Sequence, residues 1–146
     1  MALVSIRNVN KVYDGGVHAV TALGRHRILL VEDDDSVAAT VGGMLDELGY
    51  ECERADSGDA AMRRLRRGAD FSLILSDMIM PGKVSGLDLA RQVARQWPAL
   101  STMLMTGYSA AAASAAKEGV RLLSKPFSIE ELSVQIMAAL DEGRPA

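Results

Sequence analysis

Cysteine is nearly absent from this chain. Cys52 stands alone in 146 residues, which excludes an internal disulfide framework and fits a reducing compartment. Long apolar runs are missing as well: no stretch approaches the ~20 residues that span a bilayer, and the N-terminal segment has no apolar core of signal-peptide length. Nor is positive charge in surplus. A net charge of -3 provides no basic field to draw nucleic acid, and the one local exception, Arg63-Arg64-Leu65-Arg66-Arg67, reads as a solvated helix face. No G-x-x-x-x-G-K-S/T loop occurs, because Gly82-Lys83 is followed by Val84, so nucleotide hydrolysis has no phosphate cradle. A cytoplasmic protein, or a cytoplasmic piece of one, is expected, with no membrane partner and no direct DNA binding.

What is present is enough apolar content, 49%, to bury one sizeable core in a chain of single-domain length. From residue 27 onward short apolar runs alternate with longer helical patterns, which predicts βαβ units and a parallel sheet of five strands. The first strand covers about Arg27 to Glu32. A helix follows from Asp34 to Leu48, with Val37, Val41, Met44, Leu45 and Leu48 on one stripe. Gly42-Gly43 within it cost ~1 kcal/mol each against alanine, so packing must hold this helix. Tyr50 to Ala55 alternates like a half-buried strand, and Ser57 to Arg67 reads as a helix closed by Gly68. The third strand is Ser72 to Ser76. Ser85 caps the next helix, with Asp88 as its capping-box partner, and Pro98 stops it after Trp97.

Thr102 to Met105 is the fourth strand, Ser109 to Glu118 the fourth helix and Val120 to Leu123 the fifth strand. In the last helix Ser128 and Glu131 form a capping box, Phe127 and Leu132 occupy the hydrophobic-staple positions, and Leu132, Ile136, Met137 and Leu140 make the apolar stripe. Runs such as Leu73-Ile74-Leu75 lack alternation because parallel strands are covered on both faces. Met78, Met80, Met103 and Met105 read as core fillers, as does Trp97. His18 and His26 read as exposed polar residues without partners.

Sites in doubly wound sheets form beyond the carboxyl ends of the strands, where the strand order reverses. Here those ends carry Glu32-Asp33, Asp77, Thr106 and Lys125. In the strand order implied by the family resemblance described next, the first and third strands lie side by side, and Glu32, Asp33 and Asp77 would share one pocket with only Lys125 to balance them. Such repulsion is tolerable chiefly around a hard divalent cation, and Mg²⁺ is the expected occupant. Asp34 and Asp35 need no such role, since acids favour the first turn of a helix.

Four segments carry a resemblance to a known family: Ile28-Leu29-Leu30-Val31-Glu32-Asp33-Asp34, Ser76-Asp77-Met78-Ile79-Met80-Pro81-Gly82, Leu104-Met105-Thr106-Gly107 and Leu123-Ser124-Lys125-Pro126-Phe127. The chain resembles the receiver domains of two-component response regulators, in which an aspartate takes a phosphoryl group from a histidine kinase. The resemblance implies a flavodoxin-like sheet of order 2-1-3-4-5. It implies Asp77 as phosphoacceptor, and Glu32, Asp33, Asp77 and the backbone carbonyl of Ile79 as ligands of Mg²⁺. It further implies Thr106 as the hydroxyl that bonds the phosphoryl group and Lys125 as the cation that pairs with it. The partners implied are a histidine kinase or a histidine phosphotransfer protein, and a downstream protein target on the face of the fourth helix, fifth strand and fifth helix. Such a protein catalyses only its own phosphorylation and dephosphorylation. The domain is expected to span 27–141, with 1–26 an extension and 142–146 a tail.

Two features depart from the family pattern. Leu122 stands where an aromatic residue often acts as a switch, three positions before Lys125. The loop from Pro81 to Gly86 is about one residue longer than the commonest form, which resembles receivers attached to hybrid sensor kinases. By analogy, Ile79 and Tyr108 flank the path of the hydrolytic water, and their bulk implies slow dephosphorylation. Residues 1–24 weakly resemble the opening strands of ABC-transporter ATPases. The segment reads as a short hairpin or as disordered, a fusion relic or a dimer contact. The alternatives to a phosphoacceptor are a binding module of the same fold that works without phosphorylation, which Leu122 permits, and an aspartate-nucleophile phosphatase. In the latter the nucleophilic aspartate would open a D-x-D, and Ile79 stands two beyond Asp77.

Overall fold

The computed structural model of the protein describes residues 26–80, 82–107 and 116–142. Five parallel strands, β1 (Arg27–Val31), β2 (Glu51–Ala55), β3 (Leu73–Asp77), β4 (Ser101–Thr106) and β5 (Arg121–Ser124), form one sheet in the order β2-β1-β3-β4-β5. The helices among the described residues are α1 (Asp35–Glu47), α2 (Gly58–Arg67), α3 (Gly86–Gln96) and α4 (Ile129–Glu142). The expected doubly wound α/β sheet and its expected order are both present. The N-terminal extension expected to be a hairpin or disordered, up to residue 25, with Pro81, Tyr108, most of the predicted helix over Ser109–Glu118 and the tail from 143, lies outside the described residues.

The apolar runs lack alternation because both faces of the sheet are covered. Ile28, Leu30, Leu73, Leu75, Met103 and Met105 enter a core closed by Ala38, Val41 and Leu45 of α1 and by Leu132 and Ile136 of α4. Their neighbours Leu29, Val31 and Ile74 enter the opposite core, closed by Ala61, Met62 and Leu65 of α2 and by Leu89 and Val93 of α3. Successive strand residues point to opposite faces, so each run feeds two cores at once. The four methionines are buried, and Trp97 packs half-buried against the second core.

Each described helix starts on a side-chain cap soon after a strand or loop ends. Asp34 Oδ1 accepts from the Val37 N–H at 3.0 Å and Ser57 Oγ from the Ala60 N–H at 3.0 Å. The two predicted capping boxes are formed: Ser85 with Asp88, and Ser128 with Glu131. Such caps contribute ~1 kcal/mol each and fix the direction in which the chain leaves the sheet. That direction is what aims the loops at the carboxyl edge.

Three expectations are corrected. His26 is not exposed and unpaired: it is buried, with Nδ1 2.8 Å from Ser72 Oγ. Met137 is not on the buried stripe of the last helix; it is 51% exposed, and Ala139 is buried instead. The arginine cluster on α2 is not wholly a solvated face. Arg64 Nε donates to Glu53 at 2.6 Å, its Nη1 donates to the Gly68 carbonyl at 2.8 Å, and its guanidinium lies 4.8 Å from the centre of the Phe71 ring. Arg27 lies 4.9 Å from the same ring and pairs with Glu51, Glu53 and Asp70. Both arginines thus serve the amino end of the sheet, where their stems and planes cover an aromatic surface.

Candidate functional site

β1 and β3 are neighbours, and their last residues bring Glu32, Asp33 and Asp77 to one place. One carboxylate oxygen from each lies within 4.8 Å of the others. Lys125, which follows β5, reaches the same place, with Nζ 3.1 Å from Asp77 Oδ1. Its main chain is tied to β4 by the Lys125 N–H donating to the Thr106 carbonyl at 2.8 Å, and the peptide bond to Pro126 is cis.

Glu32 is the most telling member. It is 1% exposed. Its Oε2 accepts from the Asp34 N–H at 3.1 Å, while Oε1 is buried with no hydrogen-bond partner among the described residues. Burial pushes the Glu32 carboxyl above the usual carboxylate range; the Asp34 N–H opposes this, the Asp77 charge and the Asp33 carboxyl add to it, and Lys125 opposes it. A buried, unsatisfied carboxylate oxygen beside two further carboxylates is costly unless a cation takes it up. All-oxygen donors of this kind fit Mg²⁺, which binds through a few carboxylates and keeps several waters.

Thr106 ends β4 beside β3, since Asp77 is in register with Met105. It is 5% exposed, and its hydroxyl donates to the Gly107 carbonyl at 2.7 Å. The structure therefore brings Thr106 to the same edge of the sheet with its hydroxyl engaged locally. Ile79 lies in the loop after Asp77 and is 69% exposed. Leu122 packs with Leu87 and Val120 against buried Met78 and Leu104, so a small apolar cluster joins the residue after Asp77 to β5.

Three contributors were missed by sequence reasoning. The Arg54 guanidinium donates to the Glu32 carbonyl through Nε at 3.0 Å and Nη2 at 2.8 Å. At Gly86, a Cβ would lie 2.2 Å from the Asp77 carbonyl oxygen and 2.8 Å from Met78 Cα, so a side chain there would displace the backbone that carries Asp77. The Gly86 N–H instead donates to the Met78 carbonyl at 3.0 Å. At Gly58, a Cβ would lie 2.3 Å from the Val84 carbonyl oxygen, which fixes the far side of the same loop. A glycine directly after a cap residue, as in Ser57-Gly58 and Ser85-Gly86, is the sequence signal that could have found both glycines.

Comparison with known proteins fits this geometry. Residues 28–137 match the response regulator receiver domain. The chain belongs to that family. It is 37% identical over 113 residues to the response regulator receiver protein CpdR of Brucella abortus, covering 75% of this chain and 92% of that protein. It is 38% identical over 109 residues to the response regulator protein FleR of Pseudomonas aeruginosa, covering 73% of this chain but only 23% of FleR. Among solved structures, a response regulator receiver domain protein from Clostridium thermocellum superposes with a TM-score of 0.75 at 27% identity, covering 80% of this chain and 95% of that one. The receiver family acts in two-component signalling, where its members interact with histidine kinases or phosphotransfer proteins. No helix among the described residues is long and apolar enough to cross a membrane.

Proposed function

We propose that this receiver takes a phosphoryl group from a phosphohistidine donor onto Asp77 and relays it as a conformational change. The observation that carries the reading is the three-carboxylate cluster, in which Glu32 Oε1 is buried with no partner among the described residues and the Lys125 ammonium meets Asp77. Glu32, Asp33, Asp77 and the Ile79 carbonyl would hold Mg²⁺. When bound, the ion supplies neutralisation of the charge on the transferring group.

The chain's own residues supply the rest. An Asp77 oxygen attacks phosphorus as the bond to the histidine nitrogen breaks, and the phosphoryl oxygens take over Lys125, which already meets Asp77. Thr106 gives up the Gly107 carbonyl and donates its hydroxyl to the phosphoryl group. Movement of Thr106 at the end of β4 then alters the packing around Leu104 and Leu122, the route toward the β5 and α4 face in the absence of an aromatic switch. An apolar groove of about 410 Å³, lined by Val37, Val41, Met44, Pro126 and Phe127 and reaching Lys125, suits the docking of the kinase or phosphotransfer protein. The domain is assigned to 27–141, flanked by an extension and a tail, in a cytoplasmic setting.

Incubation with a small-molecule acyl phosphate and Mg²⁺, followed by intact mass measurement, tests the proposal. One phosphoryl group is expected on the native chain and none on Asp77→Asn. No gain on the native chain would leave the phosphorylation-independent binding module as the better reading.

A further inference from the structure

The geometry points to Arg54 as a positioning residue for the magnesium pair, an inference that rests on Glu32 and Asp33 being the ligands proposed above. β1 and β2 run in register to Val31 and Ala55. One step further, the Glu32 N–H still donates to the Ala55 carbonyl at 3.0 Å. Its carbonyl instead meets the guanidinium of Arg54, with Nε at 3.0 Å and Nη2 at 2.8 Å. A two-pronged cationic donor thus extends the edge of the ladder by one residue on the side chain of β2, and charge-assisted bonds of this kind are the stronger class.

The third nitrogen, Nη1, donates to Asp35 Oδ1 at 2.7 Å. One planar group therefore spans from the end of β1 to the first residue of α1, bracketing Asp33 and Asp34. Within that bracket the Asp34 N–H returns to Glu32 Oε2 at 3.1 Å. With both main-chain groups of Glu32 and one of its carboxylate oxygens held, the remaining buried oxygen has a fixed place beside Asp33 and Asp77. The Asp35 side chain is 93% exposed, so the contact with it adds little, and the fork on the Glu32 carbonyl does the positioning.

Two physical roles for Arg54 predict opposite signs. As a nearby positive charge it would repel the metal, and its removal would tighten binding. As a positioning residue it would favour the metal, and its removal would weaken binding. Arg54→Lys separates the two, because lysine keeps the charge but lacks the planar fork.

The test is calorimetric titration with Mg²⁺ of the native chain, Arg54→Lys and Arg54→Ala. Amide hydrogen exchange of Asp34 in the metal-free proteins is measured alongside, relative to amides within β3. Both variants are expected to bind Mg²⁺ about 10-fold more weakly, at the low end for groups that orient metal ligands. Both are expected to exchange the Asp34 amide several-fold faster while the β3 amides are unchanged. Equal or tighter Mg²⁺ binding in Arg54→Ala, or an unchanged Asp34 amide in both variants, overturns the proposal and leaves the ligand reading standing. Absence of Mg²⁺ binding by the native chain overturns the ligand reading itself, and the proposal with it.

Discussion

The two ends of the sheet each gather three acids, and they treat them differently. At the amino end Glu51, Glu53 and Asp70 meet Arg27 and Arg64, and the two guanidinium groups also lie against Phe71. At the carboxyl end Glu32, Asp33 and Asp77 share one space with Lys125, which is bonded to Asp77. The amino-end acids are partly exposed and answered by donors within the chain. The carboxyl-end cluster contains a buried oxygen that no described residue answers. A network that satisfies itself is structure, whereas an under-compensated one is held by the fold for something that arrives from outside.

The largest effect that would sharpen this contrast comes from Gly86→Ala. The added Cβ would meet the Asp77 carbonyl at 2.2 Å, against backbone that cannot swing aside. Overpacking of this sort costs ~1–3 kcal/mol, and the upper end is expected because the obstacle is main chain. Chemical denaturation should show that loss, and phosphoryl transfer to Asp77 should fall with it. A variant as stable and as reactive as the native chain would break the view that α3 sets the position of Asp77.

Addition of Mg²⁺ comes next. At a free concentration of 100 times the dissociation constant, a ligand specific to the folded state stabilises it by ~2.7 kcal/mol. The rise in melting temperature should vanish in Asp33→Asn and persist in Arg64→Met, whose altered side chain belongs to the other end. Persistence in Asp33→Asn would show that the ion acts elsewhere.

Neutralising one acid at each end of the metal-free protein should give opposite signs. Glu32→Gln removes a like charge from a buried cluster and is expected to stabilise by ~1 kcal/mol. Glu53→Gln breaks the pairs with Arg64 and Arg27 and is expected to destabilise by up to ~1 kcal/mol, a small figure because those groups are partly exposed. Two changes of the same sign in urea titrations would erase the distinction between the ends.

Much of this was legible in the sequence because it is local. Ser85 with Asp88 and Ser128 with Glu131 announce their helices within four residues, and the strand-end positions of Glu32, Asp33, Asp77, Thr106 and Lys125 follow from where apolar runs stop. The rest depends on which strands lie side by side. His26 finds Ser72 across 46 positions and Arg54 finds Glu32 across 22, and neither pairing has a signature in its own neighbourhood. Arg64 misled for the same reason: its helix-surface pattern is ordinary, and only the fold places Phe71 and Glu53 beneath it. The bond from the Thr106 hydroxyl to the Gly107 carbonyl likewise has no signature in the spacing of the chain.

The smallest expected effect tests what the paired glycines of α1 are for. Their cost in helix propensity implied that packing must hold the helix, and Ala38, Val41 and Leu45 are buried on its inner face. At Gly42 and Gly43, however, an added Cβ would meet nothing within 4 Å, so no close approach within the described residues requires glycine. Gly43→Ala should therefore stabilise the protein by ~0.5–1 kcal/mol, through a less flexible unfolded chain and a better helix former. Because α1 begins at the site and the substitution sits two turns away, Mg²⁺ affinity should stay unchanged. A loss of stability in denaturant would mean that this face meets chain outside the described residues, and a change in Mg²⁺ affinity would mean that the bracket around Glu32 and Asp33 yields to strain from the middle of the helix.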